Sequence, residues 1–314
     1  MGTDGSAPRP IEVVVVTHNS AAVLPGLLDS LEAGMEGTRW RLVAVDNDSG
    51  DGTRELLRRS ASAAQLIELD RNLGYAAAVN RALADARGEI EDVLLLNPDV
   101  RLSRGSAASL QRRLRTACHL DSIEGRIGLT APLCQDSSGA VLPTLRREPT
   151  VARALAETVL GVRRAGRRGW GEAVLEKSAY ARTTTSDWIS GAALMISSEC
   201  LQACGEWDER FFLYSEDTDY ALRARDEGFL SCLEPEAEAV HLGGASRADS
   251  RLWALLTVNK VILHSKRHGR GRAIAFRSAA LLREVRLALS GNRPSRRAAV
   301  ALLGRVPTEI GGPR

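Results

Sequence analysis

An α/β fold is what this sequence predicts: a Rossmann-like, mostly parallel sheet with helices on both faces, followed by a basic helical extension. Three observations carry the prediction. The run IEVVVVT at Ile11–Thr17 is apolar and β-branched almost throughout, as in strands buried on both faces of a parallel sheet. Strand-like and helix-like segments then alternate as far as residue 96, and such alternation winds a sheet through right-handed crossovers. The chain has 314 residues, 44% hydrophobic and 26% charged, enough for one large core with a smaller lobe attached.

The elements follow in order. Residues 1–9, rich in Gly, Pro and Ser, read as a disordered tail. After the first strand, Asn19 or Ser20 is placed to cap a helix reaching about Leu31. Residues 40–45 give a second strand, DNDSGDGT a turn, and Thr53 the start of a helix. A short third strand covers 66–69. Asn72 to Gly74 then turns into an alanine-rich helix over 75–86, and Asp92–Leu96 is the fourth strand. Periodicity fades over 135–185, a variable excursion with one or two helices, a basic patch and the stretch TTTSD. Order returns with a strand at 188–197 and an acid-headed helix in SEDTDYALRARDEG. From Leu252 the text is helical, aliphatic and basic. These boundaries suggest a catalytic unit over 10–245, with halves 10–100 and 101–245, and an extension over 246–314.

Ligands of open α/β sheets sit beyond the carboxyl ends of the strands. His18 and Asn19, the Asp46 to Asp51 turn, and Asn97 to Asp99 all fall there. No GxGxxG follows the first strand and no GxxxxGK[ST] occurs, which disfavours dehydrogenases and P-loop enzymes. The glycine- and lysine-rich phosphate loop of nucleotidylyltransferases is also missing after strand one. A bound nucleoside diphosphate would need another neutraliser, and a Mg²⁺ or Mn²⁺ ion on Asp99 would supply it. The competing reading of NPD is a plain strand-terminating turn. Glu216, Asp217 and Asp219 crowd the first turn of their helix. Ordinary capping accounts for one such acid, and proton acceptance from an attacking hydroxyl accounts better for three. His241, followed by Gly-Gly, is a candidate second metal ligand.

Charge is unevenly spread. The chain carries +3, but from His241 onward fifteen Arg and Lys face three Asp and Glu, so the tail is +12 and the first 240 residues −9. A helical arm pairing apolar and cationic faces suits an anionic leaflet; plain packing on the catalytic lobe with a solvated basic face is the other reading. Aromatic residues are not interleaved with the basic ones, so nucleic acid is not expected. Cys118, Cys134, Cys200, Cys204 and Cys232 are odd in number, lack disulfide spacing and follow no signal peptide pattern, which points to reduced thiols in the cytosol. Cys200 and Cys204, four apart, read as packing residues rather than metal ligands.

VVVVTHNS, VDNDSGDGT, RNLGYAAAVNRAL, LLLNPDV, WISGAALMI, FFLYSEDTDYALRARDEGF and HLGGAS, in this order, resemble the family-two inverting glycosyltransferases of the GT-A fold, most of all their bacterial rhamnosyltransferase-like branch. The likeness spans about residues 11–245. It implies that Thr17, Asn19, Asp46 and Asn47 hold the base and ribose of a nucleotide-sugar donor, and that Asn72, Gly74 and Asn80 shape the pocket beside it. It implies Asp99 and His241 as metal ligands, with Asn97 in place of the first acid of a DxD motif. Asp217 becomes the general base, Trp188, Gly191 and Ala192 line the sugar and acceptor, and Glu216 and Asp219 orient the acceptor or fix the helix. The expected reaction moves L-rhamnose from dTDP-rhamnose to a hydroxyl of a glycan or polyprenyl-linked glycan. Transfer from UDP-hexose or UDP-galactofuranose, or nucleotide-sugar binding without turnover, are the alternatives. The expected location is the cytoplasm, peripherally on the inner face of the plasma membrane.

Overall fold

The computed structural model describes residues 10–60, 63–84, 92–116, 118–120, 123–243 and 249–304. The expected N-terminal tail and the end of the HLGGAS motif lie outside them. Strands β1 (Ile11–Thr17), β2 (Trp40–Asp46), β3 (Ala63–Glu68) and β4 (Asp92–Leu96) are parallel, connected by helices α1 (Leu24–Gly34), α2 (Thr53–Arg59) and α3 (Tyr75–Ala84). Their order in the sheet is β3-β2-β1-β4. The winding thus moves outward from β1 to β3 and returns to the other side of β1, making the gap between β1 and β4 the topological switch point.

Past β4 the sheet becomes mixed. β5 (Val100–Leu102), α4 (Ser106–Leu114), β6 (Cys118–Leu120) and β7 (Ile123–Gln135) come next in the chain. The excursion holds β8 (Leu145–Arg146), α5 (Val151–Leu160), α6 (Val162–Arg167), a 3₁₀ turn at Lys177–Tyr180 and β9 (Thr184–Ser186). Then follow β10 (Trp188–Ile189), β11 (Ala193–Ile196), α7 (Ser198–Cys204), α8 (Glu216–Asp226) and β12 (Phe229–His241). The full order is β3-β2-β1-β4-β11-β7-β12-β5, with β11 antiparallel to both neighbours and β12 parallel to β7. TTTSD contributes a real edge strand, β9, on β12.

The period of two along β1 explains the layers. Val14 and Val16 join Ala76 and Val79 of α3 in one core, while Val13 and Val15 meet Leu24, Leu27 and Leu31 of α1 in the other. Two expectations are corrected. α1 is not capped by the Asn19 or Ser20 side chain. It starts at Leu24 with Pro25 in its first turn, where a missing N–H costs nothing, and the Ser20 carbonyl takes the Val23 and Leu24 N–H groups. Residues 188–197 are two strands, because the Ser190 N–H donates to Thr144 and the Gly191 N–H turns to a side chain of α8.

Beyond β12, α9 (Ser250–Leu289) is capped by Asp249 and bends at Gly269, whose φ of 80° only glycine adopts readily. α10 (Arg293–Leu303), capped by Asn292, folds back on it. Val258, Val261, Phe276 and Leu302 form a separate small core, joined by Val151 and Ala154 of α5. Cys134, Cys200, Cys204 and Cys232 are in no disulfide. Among the described residues no helix is long and apolar enough to cross a membrane.

Candidate functional site

The parallel register sets Thr17 opposite Asp46 at the strand ends. Both are fully buried, and the Thr17 hydroxyl donates to Asp46 Oδ1 at 3.1 Å. Asp46 Oδ2 accepts from Ser49 N at 3.0 Å and Arg54 Nε at 2.6 Å. Burial pushes this carboxyl up, yet the bonds from Ser49, Arg54 and Thr17 more than offset it, and its pKa lies below the ordinary value. Asn47 spends both ends of its amide on the next loop, accepting from Leu73 N at 2.8 Å and donating to the Gly74 carbonyl at 3.0 Å. Asn72 closes the same loop by accepting from Gly74 N. Asn19 reaches across to Gly50 N at 2.9 Å, so the β1 and β2 loops form one rim.

Gly74 has φ 89°, and a Cβ there would stand 2.4 Å from the Phe212 carbonyl oxygen. This close approach lets Tyr75 N donate to Phe212 O at 2.7 Å, tying the start of α3 to the loop before α8. Asn80, further along α3, binds Trp207 N and O and Glu209. Its amide thus braces that loop instead of facing the strand ends.

At the tip of β4, Val100 N donates to Asn97 O, and the tight turn presents Asp99. β12 ends beside it: His241 Nε2 lies 3.3 Å from Asp99 Oδ2, and Gly243 N donates to the same oxygen at 3.0 Å. Burial raises the Asp99 carboxyl, but His241 and Gly243 together hold its pKa below the usual value. Carboxylate and imidazole point at one spot, both partly exposed. Among the described residues no set of three or more His, Cys, Asp or Glu surrounds such a spot. Two protein ligands suit a divalent cation that takes its other positions from phosphate and water, and fit poorly with a closed structural site.

The two halves of the site are joined through β10–β11. Asn97 N donates to Ala192 O at 2.9 Å, and the neighbouring Gly191 N donates to Asp217 Oδ2 at 3.3 Å. Asp217 Oδ1 accepts from Thr218 N at 2.7 Å and from its hydroxyl. A Cβ on Gly191 would sit 3.4 Å from that of Asp217, so this segment lies against the acid. Burial raises the Asp217 pKa and outweighs its hydrogen bonds and the nearby Arg146 charge. A raised pKa brings the carboxylate nearer to neutral pH, where a general base works best.

Glu216 is buried with Oε2 unpartnered, and burial, then the Asp217 charge, raise its pKa well above the usual range. Asp219 differs: it is fully buried between Arg223 at 3.0 Å and Lys266 at 2.7 Å, which leaves it no exposed oxygen for an acceptor. Fixing the helix is the part it can play. Trp188 is buried, donates Nε1 to Arg147 O, and carries the Arg146 guanidinium 5.9 Å over its ring.

Sequence reasoning missed two residues here. Arg146 stands near Asp217 but lay in an aperiodic stretch. Asn259 of α9 is fully buried and donates to both Leu213 O at 2.9 Å and Tyr214 O at 3.0 Å. Tyr214 and Ser215 have φ 70° and 72°, and the other described non-glycine residues with positive φ are Asn19 and Asp48, at the opposite rim. Backbone strain in the described structure is therefore concentrated around this site.

Residues 12–123 match the domain described as Glycosyl transferase family 2. The chain is 32% identical over 242 residues to the N-acetylglucosaminyl-diphospho-decaprenol L-rhamnosyltransferase of Mycobacterium tuberculosis, covering 74% of this chain and 75% of that one. Over 102 residues, 30% of each chain, it is 36% identical to an undecaprenyl-phosphate 4-deoxy-4-formamido-L-arabinose transferase of Pseudomonas aeruginosa. In fold it is similar to the mannosyltransferase PcManGT of Pyrobaculum calidifontis, solved with GDP-Man and Mn²⁺, at TM-score 0.55 and 18% identity over 95% of this chain and 85% of that one. It is also similar to GalNAc-T7, solved with UDP, GalNAc and Mn²⁺, at TM-score 0.54 and 14% identity, covering 82% of this chain but only 48% of that one. On the identity and coverage shared with the mycobacterial enzyme, the chain belongs to glycosyl transferase family 2, has the GT-A fold and is a glycosyltransferase.

Proposed function

We propose that the chain transfers L-rhamnose, with inversion, from dTDP-rhamnose to a hydroxyl of a polyprenyl-linked glycan. One observation carries the reading. The Asp99–His241 pair and the Asp217 carboxylate are joined through Asn97, Ala192 and Gly191 in a short run of hydrogen bonds, so leaving-group and acceptor chemistry share one cleft. The mycobacterial relative's name supports the choice of sugar and acceptor class.

In this reading 10–100 is the donor half, where Thr17, Asp46 and Asn47 act mainly by fixing the loops that meet base and ribose. Asp99 and His241 would hold a Mg²⁺ or Mn²⁺ ion, which would supply charge neutralisation of the diphosphate as a Lewis acid. Asp217 takes the proton of the acceptor hydroxyl as its oxygen attacks the anomeric carbon from the face opposite the diphosphate. The new glycosidic bond forms as the bond to the phosphate oxygen breaks, and no covalent enzyme intermediate is required. Gly191 and Trp188 wall the acceptor side. Burial and the Asp217 charge push the Glu216 carboxyl toward its neutral form beside the proposed base. Work at the inner face of the plasma membrane accords with a polyprenyl acceptor.

A thermal-shift panel of nucleotide sugars with and without Mn²⁺ tests the donor and the cation together, since a ligand that binds the native state raises its melting temperature. dTDP-rhamnose should give the largest metal-dependent shift. A larger shift from a UDP-sugar replaces the donor, and a shift indifferent to Mn²⁺ removes the ion from Asp99.

A further inference from the structure

The excursion and the C-terminal helices meet in a seam that the sequence did not foretell. Thr158 of α5 donates to Ala279 O of α9. On the inner edge of the seam Arg283 pairs with the buried Glu157 at 3.1 Å. On the outer edge Arg286 Nη1 reaches the Val159 carbonyl at 3.5 Å. The outward flanks of both helices therefore lie on the same side.

Those flanks are apolar where water should favour polar residues. On α9, Leu282, Val285 and Leu289 recur at a spacing of three and four, the spacing of one helical stripe. On the excursion side, Leu155 and Val159 are four apart on α5 and exposed, and exposed Val162 opens α6 beyond the break at Gly161. Val159 is 73% exposed and Leu289 84%. Arg163, Arg164, Arg167 and Arg168 follow in the α6 segment, and Arg286 lies between Leu282 and Leu289 on α9; all five are exposed. Among the described residues none of these five guanidinium groups is in an ion pair with a carboxylate. The arginines facing inward behave otherwise: Arg225, Arg267 and Arg283 are each paired with acids.

We propose that this face of α5, α6 and α9 docks the protein on an anionic lipid bilayer, with the aliphatic side chains entering the headgroup boundary and the arginines bound to lipid phosphates. Apolar area and unpaired cations on one surface are the two requirements for interfacial binding, and neither alone suffices. A dimer interface would explain the aliphatic residues but leaves five like charges facing five like charges. A polyanion such as RNA would use the arginines but not the stripe. The inference rests on the lipid-linked acceptor of the proposed function only for its purpose, not for its physics.

The full-length protein, without any substrate, is floated with vesicles of phosphatidylcholine alone or mixed with phosphatidylglycerol. It should float with the mixed vesicles only, and release as salt rises. Arg163→Gln with Arg164→Gln should weaken partitioning roughly fivefold per charge removed, and Leu282→Ser with Leu289→Ser should weaken it at least tenfold, with melting temperature and sugar transfer to a soluble acceptor unchanged. Absence from the floated fraction overturns the inference, as does flotation insensitive to the leucine pair. A concentration-dependent dimer abolished by the leucine pair overturns it in favour of self-association. Because transfer to a soluble acceptor is measured separately, a protein that transfers sugar but ignores vesicles sinks this inference alone, and one that binds vesicles but never transfers sinks the proposed function alone.

Discussion

Asp46 ends β2 and Asp217 lies in the first turn of α8, and burial pushes both carboxyls toward the neutral form. Their outcomes are opposite. Asp46 gathers Thr17, Ser49 and Arg54 and ends below its ordinary pKa. Asp217 has Thr218, Gly191 and the Arg146 charge, too little to offset burial, and ends above it. The difference separates a carboxylate whose bonds are all used to hold loops from one left with proton affinity to spare. Each carboxylate accepts three hydrogen bonds, and the one from the Arg54 guanidinium, which Asp217 has no counterpart for, separates scaffolding from proton affinity.

The largest expected effect tests the reactive side. Asp217→Asn should lower kcat by about 10²–10⁴-fold while donor affinity, read by titration calorimetry, stays nearly the same. A variant with normal kcat would take the base role away from Asp217. The same substitution should raise the melting temperature. A raised folded pKa means the ionised form costs stability once pH exceeds that pKa, and asparagine has no charge to bury.

Asp46→Asn is the counterpart. It leaves Arg54 without its main partner and should cost about 2–4 kcal/mol in chemical denaturation; a stability change near zero would remove the scaffold reading. Asn259→Ala comes next. Freeing the Leu213 and Tyr214 carbonyls should cost about 1–2 kcal/mol and lower kcat more than it changes KM, since the loop sets the placement of Asp217. A change in KM alone would count against that placement.

The smallest effect is in acid. Activity needs ionised Asp217, so it should fall as pH drops through that raised pKa. Asp46 gives stability that is present above its unfolded pKa and lost as pH falls through its depressed folded value. Inactivation should therefore precede unfolding, and be reversible, when kcat/KM and circular dichroism are followed over one pH series. Coincident transitions would erase the distinction between the two acids.

How much of this could be read from the chain depends on the kind of signal. β1 to β4 were legible because runs such as IEVVVVT leave little other than a doubly covered strand. The approach of Asp99 to His241 was legible only through the order of motifs, since no local pattern brings β4 and β12 together. Of β12 only its end before His241 was legible; Ala237 and Ala239 join the core and Glu236 and Glu238 alternate with them, but Pro235 and the bulge beside it masked that period of two. Asn259 gave no signal, because a single amide in a helix is assumed to face water. The alternation of aliphatic and basic residues that marked α9 as amphipathic was right for Val261, which packs inward, but could not say that Leu282 stays outside.

The clasp of Asn259 on Leu213 and Tyr214 bears on how the polypeptide can be divided. Two left-handed residues just ahead of Asp217 are held by an amide that the ribosome adds dozens of residues later. A shortened protein ending before Ser250 would keep every motif shared with the family yet lose the grip that shapes this bend. Motif content alone is therefore a poor guide to the smallest working enzyme.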